Sequence, residues 1–290
     1  MKTMLIALIM LTASSAQAAV SVIDDSGKRV VLARPAQRVI SMAPHVTELV
    51  FAAGGGARIV GAMNYSDYPF EARMIPLIGS NSQIDLERVI ALKPDLLIVW
   101  QSGNTARQIA QLQSLGIPVF HSEPRSLDMV ESSLQRFGRL LGTEKTAGAA
   151  AARFRAKVND LRTRYGSRSP VTVFYQAWDN PLYTLNGDQI ASDAIRLCRG
   201  KNIFAELKTI APQVSVEAVL QRDPEAIVGG KVFAPEDRGL TVWAPYKGMK
   251  AVRRNNLFTL DDELITRPGP RVVDGAAKLC ARLDEARARR

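Results

Sequence analysis

The residues able to do chemistry here are few. Only two histidines occur in 290 residues, His45 and His121, whereas a catalytic metal centre draws on three or more protein ligands. No strand pattern leads into G-x-S-x-G, H-E-x-x-H, a phosphate loop or G-x-G-x-x-G. His45 follows Pro44 at a strand-to-helix turn and His121 closes a strand. Each reads either as a surface loop residue or as a group facing a cleft. The aromatic residues are more telling, although they make up only 6% of the chain. Tyr65, Tyr68 and Trp100 fall at strand ends or in the loops beyond them, as do Trp178 and Tyr183 later on, with Trp243 and Tyr246 as looser candidates. In open α/β sheets ligands settle beyond the carboxyl ends of strands. Phenol and indole rings there offer flat apolar area with a polar edge, suited to holding a large, partly apolar ring system. Trp100 has a second reading, as a core residue packed on a neighbouring helix.

Two carboxylates share a context. Glu87 and Glu217 each stand seven residues before a proline, Pro94 and Pro224, and in both copies an acidic residue follows and an apolar strand begins. Leu86, Val89 and Ile90 share one helix face by their spacing, as do Val216, Val219 and Leu220. Each glutamate is rotated about 100° from the first of these, toward solvent. The copies continue. Residues 117–120 lead to Pro124, Arg125 and a helix carrying Leu127, Val130, Leu134, Phe137 and Leu141. Residues 256–259 lead to Pro270, Arg271 and a helix carrying Val273, Ala276, Ala277, Cys280 and Leu283.

The elements that must position these groups follow an alternating plan. Strands at 20–23 and 29–32 flank a turn, then 38–42 runs into Pro44 and a helix bearing Val46, Leu49, Val50 and Ala53. Further strands at 59–62, 96–100 and 118–121 are separated by helical stretches. Strand–helix alternation predicts mainly parallel sheets, and its repetition predicts an α/β protein of two Rossmann-like lobes. Between them, residues 144–164 carry Ala147, Ala151, Phe154, Val158, Leu161 and Tyr165 at helical spacing without a proline. About 20 residues at 1.5 Å each give a helix of roughly 30 Å, the breadth of a small domain. The predicted organisation is 1–18 export signal, 19–143 first lobe, 144–168 connecting helix and 169–290 second lobe.

Composition sets the boundaries. A run of apolar residues at 4–11 is too short to span a bilayer. Lys2 before it, small residues after it and Ala16-Gln17-Ala18 read as a cleavable secretory signal, which places the mature chain in a bacterial periplasm. Net charge is +10, yet Lys and Arg are interspersed with acids and no nucleic-acid motif occurs. The basic tail 281–290 reads as a solvated helix end. The two cysteines, Cys198 and Cys280, favour a disulfide in an oxidising compartment, with two buried thiols as the alternative.

The stretch 64–69 (Asn64-Tyr65-Ser66-Asp67-Tyr68-Pro69), the segment 86–96 with Lys93-Pro94-Asp95, then Trp100, Gly103 and Asn104 resemble the cobalamin-binding members of the helical-backbone metal-receptor group. Other members of that group bind haem, ferric siderophores or metal ions. The resemblance runs from about Val39 to the end and is strongest over 65–119. It implies a non-enzymatic, monomeric binding protein that holds cobalamin or a related corrinoid between its lobes and delivers it to an ABC permease dimer, with no resident cofactor. It places ligand walls at Tyr65, Trp100 and Tyr183, a ligand contact at Arg267, and permease docking at Glu87 and Glu217. Where the family has cleft tryptophans, this chain has Asn81 and Ala211, a loss partly offset by Trp178. Haem or a ferric siderophore is the alternative cargo, and only with haem would His45 serve as a metal ligand. From another class, an exported metal-dependent hydrolase would need a ligand cluster around His45 or His121.

Overall fold

A computed structural model describes residues 19–231 and 237–290, so the candidate export signal at 1–18 lies outside the described residues. In chain order the elements are β1 (Val20–Ile23), β2 (Arg29–Leu32), β3 (Val39–Met42), α1 (Pro44–Ala52), β4 (Ile59–Ala62), α2 (Leu86–Ala91), β5 (Leu96–Trp100), α3 (Ala106–Ser114), β6 (Val119–Ser122) and α4 (Leu127–Leu141). There follow α5 (Glu144–Tyr165), β7 (Val171–Gln176), β8 (Trp178–Asp179), β9 (Leu182–Tyr183), α6 (Ile190–Leu197), β10 (Gly200–Asn202), α7 (Val216–Arg222), β11 (Ala226–Gly229), α8 (Lys250–Arg253), β12 (Leu257–Thr259), α9 (Asp262–Ile265) and α10 (Val272–Ala288).

Two four-stranded parallel sheets carry one plan twice. The first runs β4-β3-β5-β6 and the second β10-β7-β11-β12, so β3 corresponds to β7, β4 to β10, β5 to β11 and β6 to β12. Their central strands are apolar on both faces, as expected where helices cover both sides. Residues 39–42, 96–99 and 226–229 are all buried. The first hairpin, β1–β2, is antiparallel and separate from both sheets.

Local chemistry ends the helices where the sequence allows. Asp85 accepts from the Arg88 N–H at 2.9 Å to cap α2, and Ser215 accepts from the Ala218 N–H at 3.2 Å to cap α7. At the end of α4, Gly142 takes φ 60°, a left-handed conformation that glycine adopts without steric cost. The apolar face expected of α2 is narrower than its spacing suggests: Val89 is fully buried, but Ile90 is 48% exposed. A helix of six residues presents little more than one turn to its sheet, too short to bury three positions.

Helix α5 has 22 residues, roughly 33 Å at 1.5 Å per residue. It buries Ala147, Ala150, Ala151, Phe154, Val158, Leu161 and Tyr165. These join Val39, Leu49 and Phe137 of the first lobe and Val173, Ile195 and Leu283 of the second in one continuous hydrophobic core. Smaller clusters cover the outer face of each sheet. Cys198 and Cys280 form a disulfide with a Cα–Cα distance of 4.8 Å, tying the end of α6 to α10.

The basic tail is not merely solvated. Arg287 donates to the carbonyls of Ser169 (2.7 Å) and Cys198 (2.6 Å), and Arg290 pairs with Glu225 at 2.9 Å. The Arg287 guanidinium thus bridges two backbone acceptors from separate segments and pins the end of α10 to them.

Candidate functional site

The two sheets have equivalent switch points, where chain connections leave neighbouring strands in opposite directions and leave a crevice at their carboxyl ends. In the first lobe this lies beyond β3 and β5. A crevice of about 170 Å³ is lined there by Met42, Ala43, Pro44, Met63, Asn64, Tyr65, Ser80, Asn81 and Trp100. In the second lobe it lies beyond β7 and β11. A smaller crevice of about 90 Å³ is lined by Gln176, Ala177, Trp178, Asp179, Gly230, Lys231, Asp237, Gly239 and Asp262. The pair is unlike in character: the first presents the rings of Tyr65 and Trp100 over a floor of buried methionines, the second carboxylates, an amide and a lysine beside Trp178.

Trp100 is half-buried and serves both readings of its sequence position. Its backbone N–H donates to Asn104 Oδ1 at 2.7 Å, and Asn104 Nδ2 donates to the Met42 carbonyl at 2.9 Å, lacing the ends of β5 and β3 together. The indole lies over Gly103, where a Cβ would come within 1.9 Å of Trp100 Cε3. His45 packs edge-on beneath the indole, centroids 5.9 Å apart. Pro44 is the first residue of α1, which turns His45 inward to 3% exposure, not out to the surface. Burial, then the positive charge of Arg267, hold its pKa down at about 3, so the imidazole is neutral. Its Nε2 is 3.4 Å from Ser122 Oγ, and it is not among the residues lining the crevice. His121 is also removed from the surface reading: its Nδ1 lies 2.9 Å from Asp24 Oδ2. Burial pushes Asp24 up, but hydrogen bonds from Ser26, the His121 N–H and Lys28 outweigh it and keep the carboxyl low.

Tyr65 stands at the crevice rim, 78% exposed, with φ 66°. A bulky side chain in the left-handed region is an outlier, held by the flanking bonds Asn64 N–H to Gly79 O (2.9 Å) and Ser66 N–H to Met63 O (3.2 Å). Asn81 is exposed on the same crevice, and its carbonyl accepts from Thr105 Oγ1 at 3.3 Å. Trp178 and Tyr183 meet as cross-strand partners in the β8–β9 ribbon. Trp178 is 47% exposed and donates from Nε1 to the Asn180 carbonyl at 3.0 Å. Trp243 is fully buried, contrary to its reading as a cleft aromatic. It donates to Gln176 Oε1 at 2.6 Å and so orients an amide that lines the second crevice, while Tyr246 packs against it.

Several polar groups at the site carry no local sequence signal. Asp262 accepts from the Tyr175 hydroxyl at 2.8 Å, and burial, with the charge of Asp261 adding, raises its pKa. Its carboxyl occupies the space a side chain at Gly230 would fill, where a Cβ would come within 1.5 Å of Oδ2. Arg267, the expected ligand contact, is already engaged. It lies 2.9 Å from Glu263, 3.2 Å from Asp67 and 3.6 Å from Glu48. Arg271 donates to both oxygens of Glu48, at 3.0 and 2.5 Å, and stacks 4.0 Å from the Tyr68 ring. Glu48, Asp67 and Tyr68 belong to the first lobe and the arginines to the second, so the two margins meet here. The sequence carries no local sign of this meeting: by spacing, Glu48 falls on the side of α1 opposite Val46, Leu49, Val50 and Ala53.

Glu87 and Glu217 are both exposed and both occupy the second position of their helices, α2 and α7. The Glu217 carboxyl is held below its ordinary range by its own backbone N–H and by Ser215. Among the described residues no group of three or more His, Cys, Asp or Glu side chains is placed to hold a metal ion.

Comparison with known proteins gives consistent findings. A family model described as "Periplasmic binding protein" matches residues 39–264. The vitamin B12-binding protein of Yersinia pestis (strain Pestoides F) is 37% identical over 251 residues, covering 87% of this chain and 88% of that relative. Among solved structures, the periplasmic vitamin B12 binding protein BtuF of Vibrio cholerae aligns with a TM-score of 0.81 and 33% identity, over 87% of this chain and 98% of that one. The periplasmic heme-binding protein RhuT from Roseiflexus sp. RS-1 aligns with a TM-score of 0.76 at 22% identity, over 86% of this chain and 99% of that one, a likeness of fold alone.

Proposed function

The chain belongs to the periplasmic binding protein family, and from that premise we propose that it captures cobalamin or a related corrinoid between its lobes. It then delivers this cargo, unaltered, to the permease dimer of an ABC importer. In this reading residues 1–18 direct export to the periplasm and are removed, 19–143 and 169–290 are the lobes, 144–168 joins them, and the mature protein acts as a monomer.

The observation that carries the reading is the pair of crevices at equivalent switch points of the two sheets. The aromatic pair Trp100 and Tyr65 suits the flat, apolar face of a large macrocycle. The second lobe supplies Trp178 and Tyr183 beside Gln176, Asp179 and Asp262, acceptors suited to amide substituents on a ring periphery. Asn81, with its amide, stands on the first crevice, and Arg267 reaches the margin from the second lobe. Glu87 and Glu217, at equivalent exposed positions, suit orientation and register on a two-fold permease more than raw affinity.

Calorimetric titration of the purified protein with cyanocobalamin and with haemin tests the cargo. Micromolar or tighter binding of cyanocobalamin is the expected result; tight binding of haemin alone overturns it. His45, buried and neutral beneath Trp100, would have to leave its place to reach a haem iron, so the absorption spectrum of a haemin complex should lack a histidine-ligated signature.

A further inference from the structure

We propose that Glu48 is a positioning residue: it sets the angle between the lobes and aims Arg267 and Arg271 at the cleft. No comparison assigns this residue a role. Glu48 lies on α1, four residues beyond the crevice-lining Pro44, and is only 3% exposed. A carboxylate so buried must be paired. Both partners come from the other lobe. Arg271 grips it with two parallel donors, at 3.0 Å and 2.5 Å, and Arg267 stands 3.6 Å away. Bidentate guanidinium–carboxylate pairs fix orientation as well as distance. Hydrogen bonding to Glu48 raises the Arg271 pKa, so the guanidinium keeps its charge and its donors.

The backbone around the clasp is shaped for it. Gly269 lies between the two arginines, and a Cβ there would come within 2.9 Å of Glu48 Oε2, so a side chain at this position would press on the clasped carboxylate. The first lobe closes the other side, Tyr68 under the Arg271 guanidinium at 4.0 Å and Asp67 on Arg267 at 3.2 Å. Glu263, 2.9 Å from Arg267, completes a group of three carboxylates and two guanidinia across the lobe boundary. A buried ionic cluster adds little net stability, and its best-attested use is to specify one arrangement over its neighbours. Helix α5 and the contact of α4 with α6, where the Leu127 N–H donates to Asp193 at 2.8 Å, join the lobes along their shared core; the clasp adds a junction beside the first-lobe crevice, where it bears on the tilt between the lobes.

The test pairs a distance with a rate. Both native cysteines are in the disulfide, so spin labels attach selectively at Gln111→Cys on α3 and Gln221→Cys on α7, both exposed positions on opposite lobes. In unliganded Glu48→Gln the distance distribution should broaden and move to longer separation while far-UV circular dichroism is retained. Release of cyanocobalamin should quicken by about tenfold, since a site whose walls are no longer held in register loses affinity mainly through faster dissociation. An unchanged distribution, or an unchanged release rate, overturns the proposal. If Glu48→Gln fails to fold, Arg271→Lys, which keeps the charge but loses the parallel donors, is read in the same way. The release arm rests on the cargo reading above. If the parent protein does not bind cyanocobalamin, that reading falls, and the unliganded distances alone decide the role of Glu48.

Discussion

Replacing His45 with phenylalanine should remove a defined part of the protein's sensitivity to acid. The imidazole ordinarily titrates near 6.5, and burial with the charge of Arg267 lowers it to about 3 in the fold. Between those values the unfolded chain binds a proton that the folded protein refuses. Stability therefore falls as pH drops below 6.5, and the loss is complete only below 3. At 1.36 kcal/mol per unit, moving from pH 7 to pH 4.5 removes about 2.5 kcal/mol through this one group, a substantial part of the ~5–15 kcal/mol that holds a typical protein folded. Phenylalanine keeps the edge-on contact with Trp100 and lacks the proton site. Any general cost of the substitution appears at both pH values and cancels in the difference. Carboxylates that also titrate in acid, Asp24, Asp223 and Glu225 among them, are common to both proteins. The assay is urea unfolding followed by circular dichroism at pH 7 and pH 4.5. The parent should lose about 2.5 kcal/mol more than His45→Phe between the two. Equal losses would refute the claim that His45 is buried and neutral.

Further expectations are open to direct measurement. Substituting Cys198 and Cys280 together by alanine opens a constraint across 82 residues, for which chain entropy alone gives at most ~4.5 kcal/mol. The melting temperature should fall by roughly 10–15 °C, and a shift within about 3 °C would count against a structural role. Gly103→Ala places a methyl group where Trp100 Cε3 lies 1.9 Å away, so the indole must move. Cyanocobalamin affinity should drop about tenfold, and calorimetry showing parental affinity would remove Trp100 from the ligand wall. Glu87→Ala with Glu217→Ala should leave ligand affinity at the parental value and slow association with permease-containing vesicles roughly three- to tenfold. Equal association rates would dismiss the docking role.

Much of the architecture was legible because its signals are local and periodic. The pattern of Leu127, Val130, Leu134, Phe137 and Leu141 matches the buried face of α4, and the spacing from Ala147 to Tyr165 marks that of α5. The repeated glutamate–proline spacing anticipated two sheets of identical strand order, and oxidising export anticipated the disulfide. Illegible features depend on contacts distant in sequence. Nothing near Glu48 announces partners more than 200 residues away, which exist only once the lobes meet. Trp243 stands in a loop pattern like those of the rim aromatics, yet Gln176 and the core around Phe174 draw it inside. Helix α9, four residues long, is too short for periodicity to register. His45 was ambiguous because Pro44 fits a turn and a first helical residue equally well, and only the helix reading turns the ring inward.

The shared core along α5 bears on how the molecule comes apart. Proteins whose halves touch only through a hinge can melt one half at a time, leaving a partly functional remnant. Here a single apolar keel runs from Val39 through Phe154 to Leu283, so neither half keeps a dry interior once the other is lost. Loss of packing anywhere along that keel therefore loosens apolar contacts that both lobes share.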